Sequence, residues 1–134
     1  MVEINLNWKG DEKFDIQQNG KILRIDAAPE EESTGFRPKA LILSSLAGCT
    51  AIDIVELLKK MRIDFSDFAI DVKAEMSDEH PKIYHTIYLT YKIKLKQEDQ
   101  PKMQKAVDLS QDKYCGVSAM IRKFATLHVN IEYL

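Results

Sequence analysis

The 134-residue chain reads as an α+β fold on three observations. Apolar and polar residues alternate near both ends, the stretch from Ala40 to Leu58 is apolar apart from Asp53 and Glu56 among its charges, and Asn19-Gly20 separates two apolar runs. The length suits one domain, 1–134, within the usual range of about 100–200 residues. With 45% hydrophobic and 30% charged residues, the composition excludes disordered and fibrous classes. A net charge of −2 announces no basic face, so nucleic acid is not an expected partner.

The first 28 residues predict an antiparallel meander. Ile4, Leu6 and Trp8 alternate with polar neighbours, Phe14 and Ile16 resume the period after Lys9-Gly10-Asp11-Glu12, and Asn19-Gly20 leads into Lys21–Ile25. An Asn-Gly pair suits a type I′ turn, which needs positive φ at both central residues. Glu30-Glu31-Glu32 and the following Ser33-Thr34-Gly35 read as one surface loop.

Pro38 opens a helical stretch, since its missing N–H has no partner in a first turn anyway. The apolar run that follows approaches the ~20 residues needed to span a bilayer, but its two acids together with Ser44, Ser45, Gly48 and Thr50 argue for a core helix instead, buried on most sides. Such a helix needs more cover than one small domain supplies, and a homodimer is the natural source. Lys59, Lys60 and Arg62 suit its C-terminal end.

A long β-hairpin follows. Phe68, Ile70, Val72, Ala74 and Met76 share one face of its first strand, and the second carries an expected inner row of Ile83, His85, Ile87, Leu89, Tyr91, Ile93 and Leu95. At about 3.3 Å per residue that second strand reaches roughly 46 Å, again suggesting a dimer. Residues 99–109 predict a short amphipathic helix, Ser110 an N-cap for another over about 111–125, and Leu127, Val129, Ile131 and Tyr133 a closing strand.

The N-terminus has neither the basic region nor the continuous apolar run of a secretory signal, so a cytoplasmic location is expected. Two cysteines are too few for a disulfide scaffold. In a reducing compartment such a pair is catalytic, redox-sensing or inertly buried, and a cysteine mid-helix among small residues, as Cys49 is, most often belongs to a core. Gly48 marks a place where a backbone or ligand could approach closely. Cys115, placed within two turns of a helix starting at Ser110, would feel the positive end of the helix dipole, which favours a thiolate.

The run Pro38-Lys39-Ala40-Leu41-Ile42-Leu43-Ser44-Ser45-Leu46-Ala47-Gly48-Cys49 resembles the central helix of the OsmC/Ohr family of thiol-dependent peroxidases. Val107–Cys115 resembles that family's second cysteine segment, particularly in its YhfA-like branch. The resemblance covers essentially the whole chain. It implies an intertwined homodimer without a cofactor, with equivalent sites at the subunit interface, that reduces organic hydroperoxides or another small-molecule substrate. Cys49 would attack the peroxide and become a sulfenic acid, Cys115 would resolve it to a disulfide, and a dithiol reductant would restore both thiols.

The family carries a Glu about ten residues before the first cysteine and an Arg from an N-terminal loop. Here that spacing falls on Lys39, and no acid lies between Gly35 and Cys49. Arg24 and Arg37 are the candidate cations. Arg37 precedes Cys49 by twelve residues, about 18 Å along one straight helix, so it could serve its own Cys49 only across a helix break. Loss of the Arg/Glu pair supports a second reading, a non-catalytic redox-sensing or small-ligand-binding dimer. His80, His85 and His128 lack metal-ligand spacing, and His85 is expected to be half-buried in its strand. Asp53 and Glu56 have cations at helical spacing, and an anion at Asp53 would raise a nearby thiol's pKa.

Overall fold

Asn19 and Gly20 both take positive φ, 48° and 77°, and join two strands at the register Gln18↔Lys21, which is the two-residue hairpin the Asn-Gly pair predicts. The computed structural model describes residues 1–134, in two units, Met1–Ile42 and Leu43–Leu134.

The first unit holds β1 (Asn5–Trp8), β2 (Lys13–Gln18) and β3 (Lys21–Asp26), antiparallel in that order. Leu6, Ile16 and Leu23 face one another across the strands, as do Trp8, Phe14 and Ile25. After β3 the chain folds back so that Phe36 bridges Ile25, its N–H donating to the Arg24 carbonyl at 2.9 Å. Gly35 is needed there, because a Cβ would lie 2.8 Å from the Arg24 carbonyl oxygen. Leu6 and Trp8 remain 53% and 67% exposed, whereas Asp15 and Asp26 are buried. The apolar ends of this sheet therefore lack cover within one chain.

Helix α1 (Leu41–Lys60) starts three residues beyond Pro38, because Pro38–Ala40 form a turn whose carbonyls accept the first helical N–H groups. One row, Leu46, Thr50, Ile54 and Leu58, is buried at the four-residue spacing of a helix face. The strip with Ser45, Gly48 and Ile52 is open in one chain. The helix ends in a Schellman motif: Arg62 takes φ 57°, its N–H donates to the Lys59 carbonyl, and Ile63 donates to Leu58. Lys59 and Lys60 occupy the last turn, where cations suit the dipole.

Strands β4 (Phe65–Met76) and β5 (Tyr84–Leu95) pair antiparallel, and β6 (Thr126–Tyr133) joins β5 in parallel. A parallel neighbour requires a crossover. Helices α2 (Gln100–Leu109) and α3 (Gly116–Ile121) form it, joined by a five-residue π-helical turn, Ser110–Tyr114.

Two sequence expectations are corrected here. The inner row of β5 is Tyr84, Ile87, Leu89, Tyr91 and Ile93, because a register shift at Glu75/Met76 moves one residue and reverses the phase before it. Ile83 and His85 consequently point to solvent, and His85 bonds Thr86 rather than sitting half-buried. Ser110 is not an N-cap. The chain passes through it in helical conformation and breaks only at Cys115, which caps α3 itself.

Candidate active site

Elements far apart along the second unit bring the two cysteines into one packed cluster. Cys49 projects from α1, and Cys115 ends the π-helical turn by donating its N–H to the Ser110 carbonyl five residues back, at 2.7 Å. The extended conformation of Cys115, φ −77° and ψ 98°, starts α3, whose first N–H groups have no partner within the helix and face sulfur. Ser118 N–H donates to Cys115 Sγ at 3.4 Å, and the Val117 N–H is placed to favour the Cys49 thiolate. Cys49 packs against the buried cluster that contains Cys115, close enough for Cys115 to act on its thiol, and both cysteines are free thiols. Cys115 is buried and Cys49 half-buried.

Burial pushes the Cys49 thiol up from its ordinary value, against the lowering effect of the Val117 N–H. Cys115 raises it further, and Asp53, one helical turn along α1, adds its negative charge.

A connected set of polar side chains lies beside the sulfurs. Thr50 Oγ1 is 2.5 Å from the Tyr91 hydroxyl and 2.7 Å from Ser110 Oγ. Ser110 donates to Asp53 Oδ2 at 2.8 Å, and Gln111 Nε2 donates to the Tyr91 hydroxyl at 2.8 Å. Arg122 donates to the Gln111 backbone carbonyl at 2.8 Å and to Gln111 Oε1 at 3.0 Å. Burial raises the Tyr91 hydroxyl's pKa despite these bonds. Ser118 Oγ, by contrast, is buried without a hydrogen-bond partner.

Of these residues the sequence singled out Cys49, Cys115 and Asp53, proposed Ser110 in another role, and missed Tyr91, Gln111 and Arg122 as members of the site. A hydroxyl at Thr50 within an apolar helix and a tyrosine in the inner row of a strand were the available signals. A π-helical turn has no comparable pattern.

The two candidate arginines lie in the first unit, each engaged there. Arg24 pairs with Asp15 and holds that carboxyl below its usual range. Arg37 donates to the Asp26 carboxylate and backbone carbonyl, both at 3.0 Å, to the Ala28 carbonyl, and to Glu30 at 3.3 Å. Asp26 also accepts the Ser33 hydroxyl at 2.7 Å and the Thr34 N–H at 3.0 Å, which hold its carboxyl below the usual range despite burial. The histidines do not converge: His128 stacks on Tyr88 at 5.1 Å, while His85 bonds Thr86.

Protein YhfA of Escherichia coli K12 is 34% identical over 95 residues, 71% of each chain. A crystal structure of a hypothetical protein from Aquifex aeolicus VF5 superposes with a TM-score of 0.86 at 26% identity, covering 100% of this chain and 96% of that one. The organic hydroperoxide resistance protein OhrB of Bacillus subtilis shares the fold, with a TM-score of 0.66 at 17% identity over 98% of both chains. The sequence profile described as OsmC-like protein matches residues 30–130, a span that includes α1, the long hairpin and both cysteine segments, and by that match and the YhfA likeness the chain belongs to the OsmC-like protein family.

Proposed function

We propose that the protein is a thiol-dependent hydroperoxide reductase acting as a cytoplasmic homodimer. One observation carries this reading: two free cysteines, from segments far apart in the chain, pack in one cluster, close enough for Cys115 to act on the Cys49 thiol. That the Bacillus subtilis neighbour is an organic hydroperoxide resistance protein agrees with it. The Cys49 thiolate attacks the terminal peroxide oxygen, an S–O bond forms as the O–O bond breaks, and the alkoxide leaves as an alcohol on taking up a proton. Cys115 then attacks the sulfenic sulfur, and the S–S bond forms as hydroxide departs and is protonated to water. A dithiol reductant exchanges the disulfide away and becomes oxidised in turn. Arg24 and Arg37 are assigned to thiolate activation by the resemblance alone, and Arg24→Met and Arg37→Met would each slow peroxide consumption if they act there.

The homodimer rests on uncovered apolar surface. A helix apolar enough by length and composition to cross a bilayer has only 22% of its apolar window buried in one chain, and Leu6 and Trp8 are open as well.

Reduced protein mixed with an organic hydroperoxide should lose two thiols per chain and consume peroxide catalytically once a dithiol is added. An unchanged thiol titre, or equal consumption by Cys49→Ser, would sink the proposal. A second reading, a redox sensor without turnover, is favoured by one observation: burial, Cys115 and Asp53 all raise the Cys49 thiol's pKa and so restrain its attack. Slow oxidation of Cys49 without reductant-driven cycling would establish that reading instead.

A further inference from the structure

The geometry points to Arg122 and Gln111 as positioning residues for the thiol pair: they fix the direction of a hydrogen-bond chain that ties the turn bearing Cys115 to the stretch of α1 bearing Cys49. The inference rests on the reading that the two cysteines form a reversible disulfide.

The direction follows from donor counts at the two ends. Arg122 has donors only, so the Gln111 atom it meets at 3.0 Å is the carbonyl oxygen, and the amide nitrogen must face the Tyr91 hydroxyl at 2.8 Å. At the other end the Asp53 carboxylate accepts, which commits the single Ser110 proton to it. Thr50 must then donate to Ser110, and Tyr91 to Thr50. The two ends agree, and each hydroxyl gives its one proton in the same sense, from Gln111 towards Asp53. Reversing the chain would leave the fully buried Tyr91 hydroxyl without an acceptor, because the clamped Gln111 amide offers it only a donor.

The chain also has a mechanical consequence. Thr50 and Asp53 belong to α1, Ser110 and Gln111 to the π-helical turn, and Arg122 to the C-terminal end of α3. Cys115 lies between Gln111 and Arg122 in sequence, so the clamp brackets it from both sides, while Ser110 anchors the turn to the residues next to Cys49. A disulfide requires the sulfurs to meet within narrow geometric limits. Fixing the turn beforehand raises the effective concentration of one sulfur at the other and removes the cost of ordering it later.

The test uses the full chain equilibrated in glutathione buffers of graded composition, quenched by alkylation and read by mass. In this exchange the protein dithiol and one glutathione disulfide yield the protein disulfide and two molecules of glutathione. Arg122→Met, at an exposed position, should retain the wild-type melting temperature yet lower the equilibrium constant about tenfold, which raises the reduction potential by about 30 mV. Gln111→Met should lower it similarly. A constant unchanged or raised in both variants would overturn the inference, and so would full restoration by Arg122→Lys, which keeps the charge but loses the paired donors. If the wild-type chain forms no disulfide at the most oxidising ratio, the redox reading of the two cysteines falls, and the clamp with it. A wild-type disulfide indifferent to both substitutions removes the clamp alone.

Discussion

Asp53 stands one helical turn from Cys49 and keeps its carboxylate in place by accepting the Ser110 hydroxyl at 2.8 Å. The thiol is held up first by burial, then by Cys115, with Asp53 adding to both. An anion disfavours a nearby thiolate, so Asp53→Asn should make Cys49 more acidic. In a Cys115→Ser background, where Cys49 is the sole thiol, the pH profile of its alkylation should move to lower pH and the rate at neutral pH should rise. An unmoved profile would show that Asp53 has no electrostatic hold on the sulfur.

Asp26 is the more deeply buried of the first unit's two buried carboxylates, bonded by the Ser33 hydroxyl, the Thr34 N–H and Arg37. Since its carboxyl is held below the usual range, its contribution to stability is present above the unfolded value of about 3.9 and is lost as pH falls through the lower folded value. Asp26→Asn places an amide donor where only acceptors fit and should cost about 1–3 kcal/mol at neutral pH. Thermal melts at neutral and acidic pH should converge for wild type and variant at the acid end.

Thr50 and Ser118 are both fully buried hydroxyl residues, with opposite surroundings. Thr50→Val keeps the shape but deprives Tyr91 and Ser110 of a partner, and should cost at least about 1–3 kcal/mol. Ser118→Ala removes a hydroxyl that bonds nothing and should stay within about 0.5 kcal/mol of wild type, or stabilise. Urea unfolding of the pair distinguishes a working network from incidental polar burial.

Ile52, 61% exposed, lies on the open strip of α1 with Gly48, where an added Cβ would meet nothing within 4 Å of its own chain. If that strip is covered by a second copy, Ile52→Asp should convert a dimer to a monomer in sedimentation equilibrium, since an unpaired charge cannot be buried at low cost. A dimer of unchanged affinity would place the interface elsewhere.

The sequence alone determined the element order and singled out the two cysteine segments. Period-two alternation, the Asn-Gly turn and the apolar run containing Cys49 are local patterns, written by which residues neighbour one another along the chain. The same patterns could not report a bulge at Glu75/Met76 that turns Ile83 and His85 outward, nor the π-helical turn that makes Cys115 the cap of α3 rather than a member of it. Those depend on how a strand or helix end meets its neighbours. Only tertiary packing decided that Thr50, Tyr91, Ser110 and Gln111 bond one another, because each buried hydroxyl needs a partner that the chain supplies from far away in sequence.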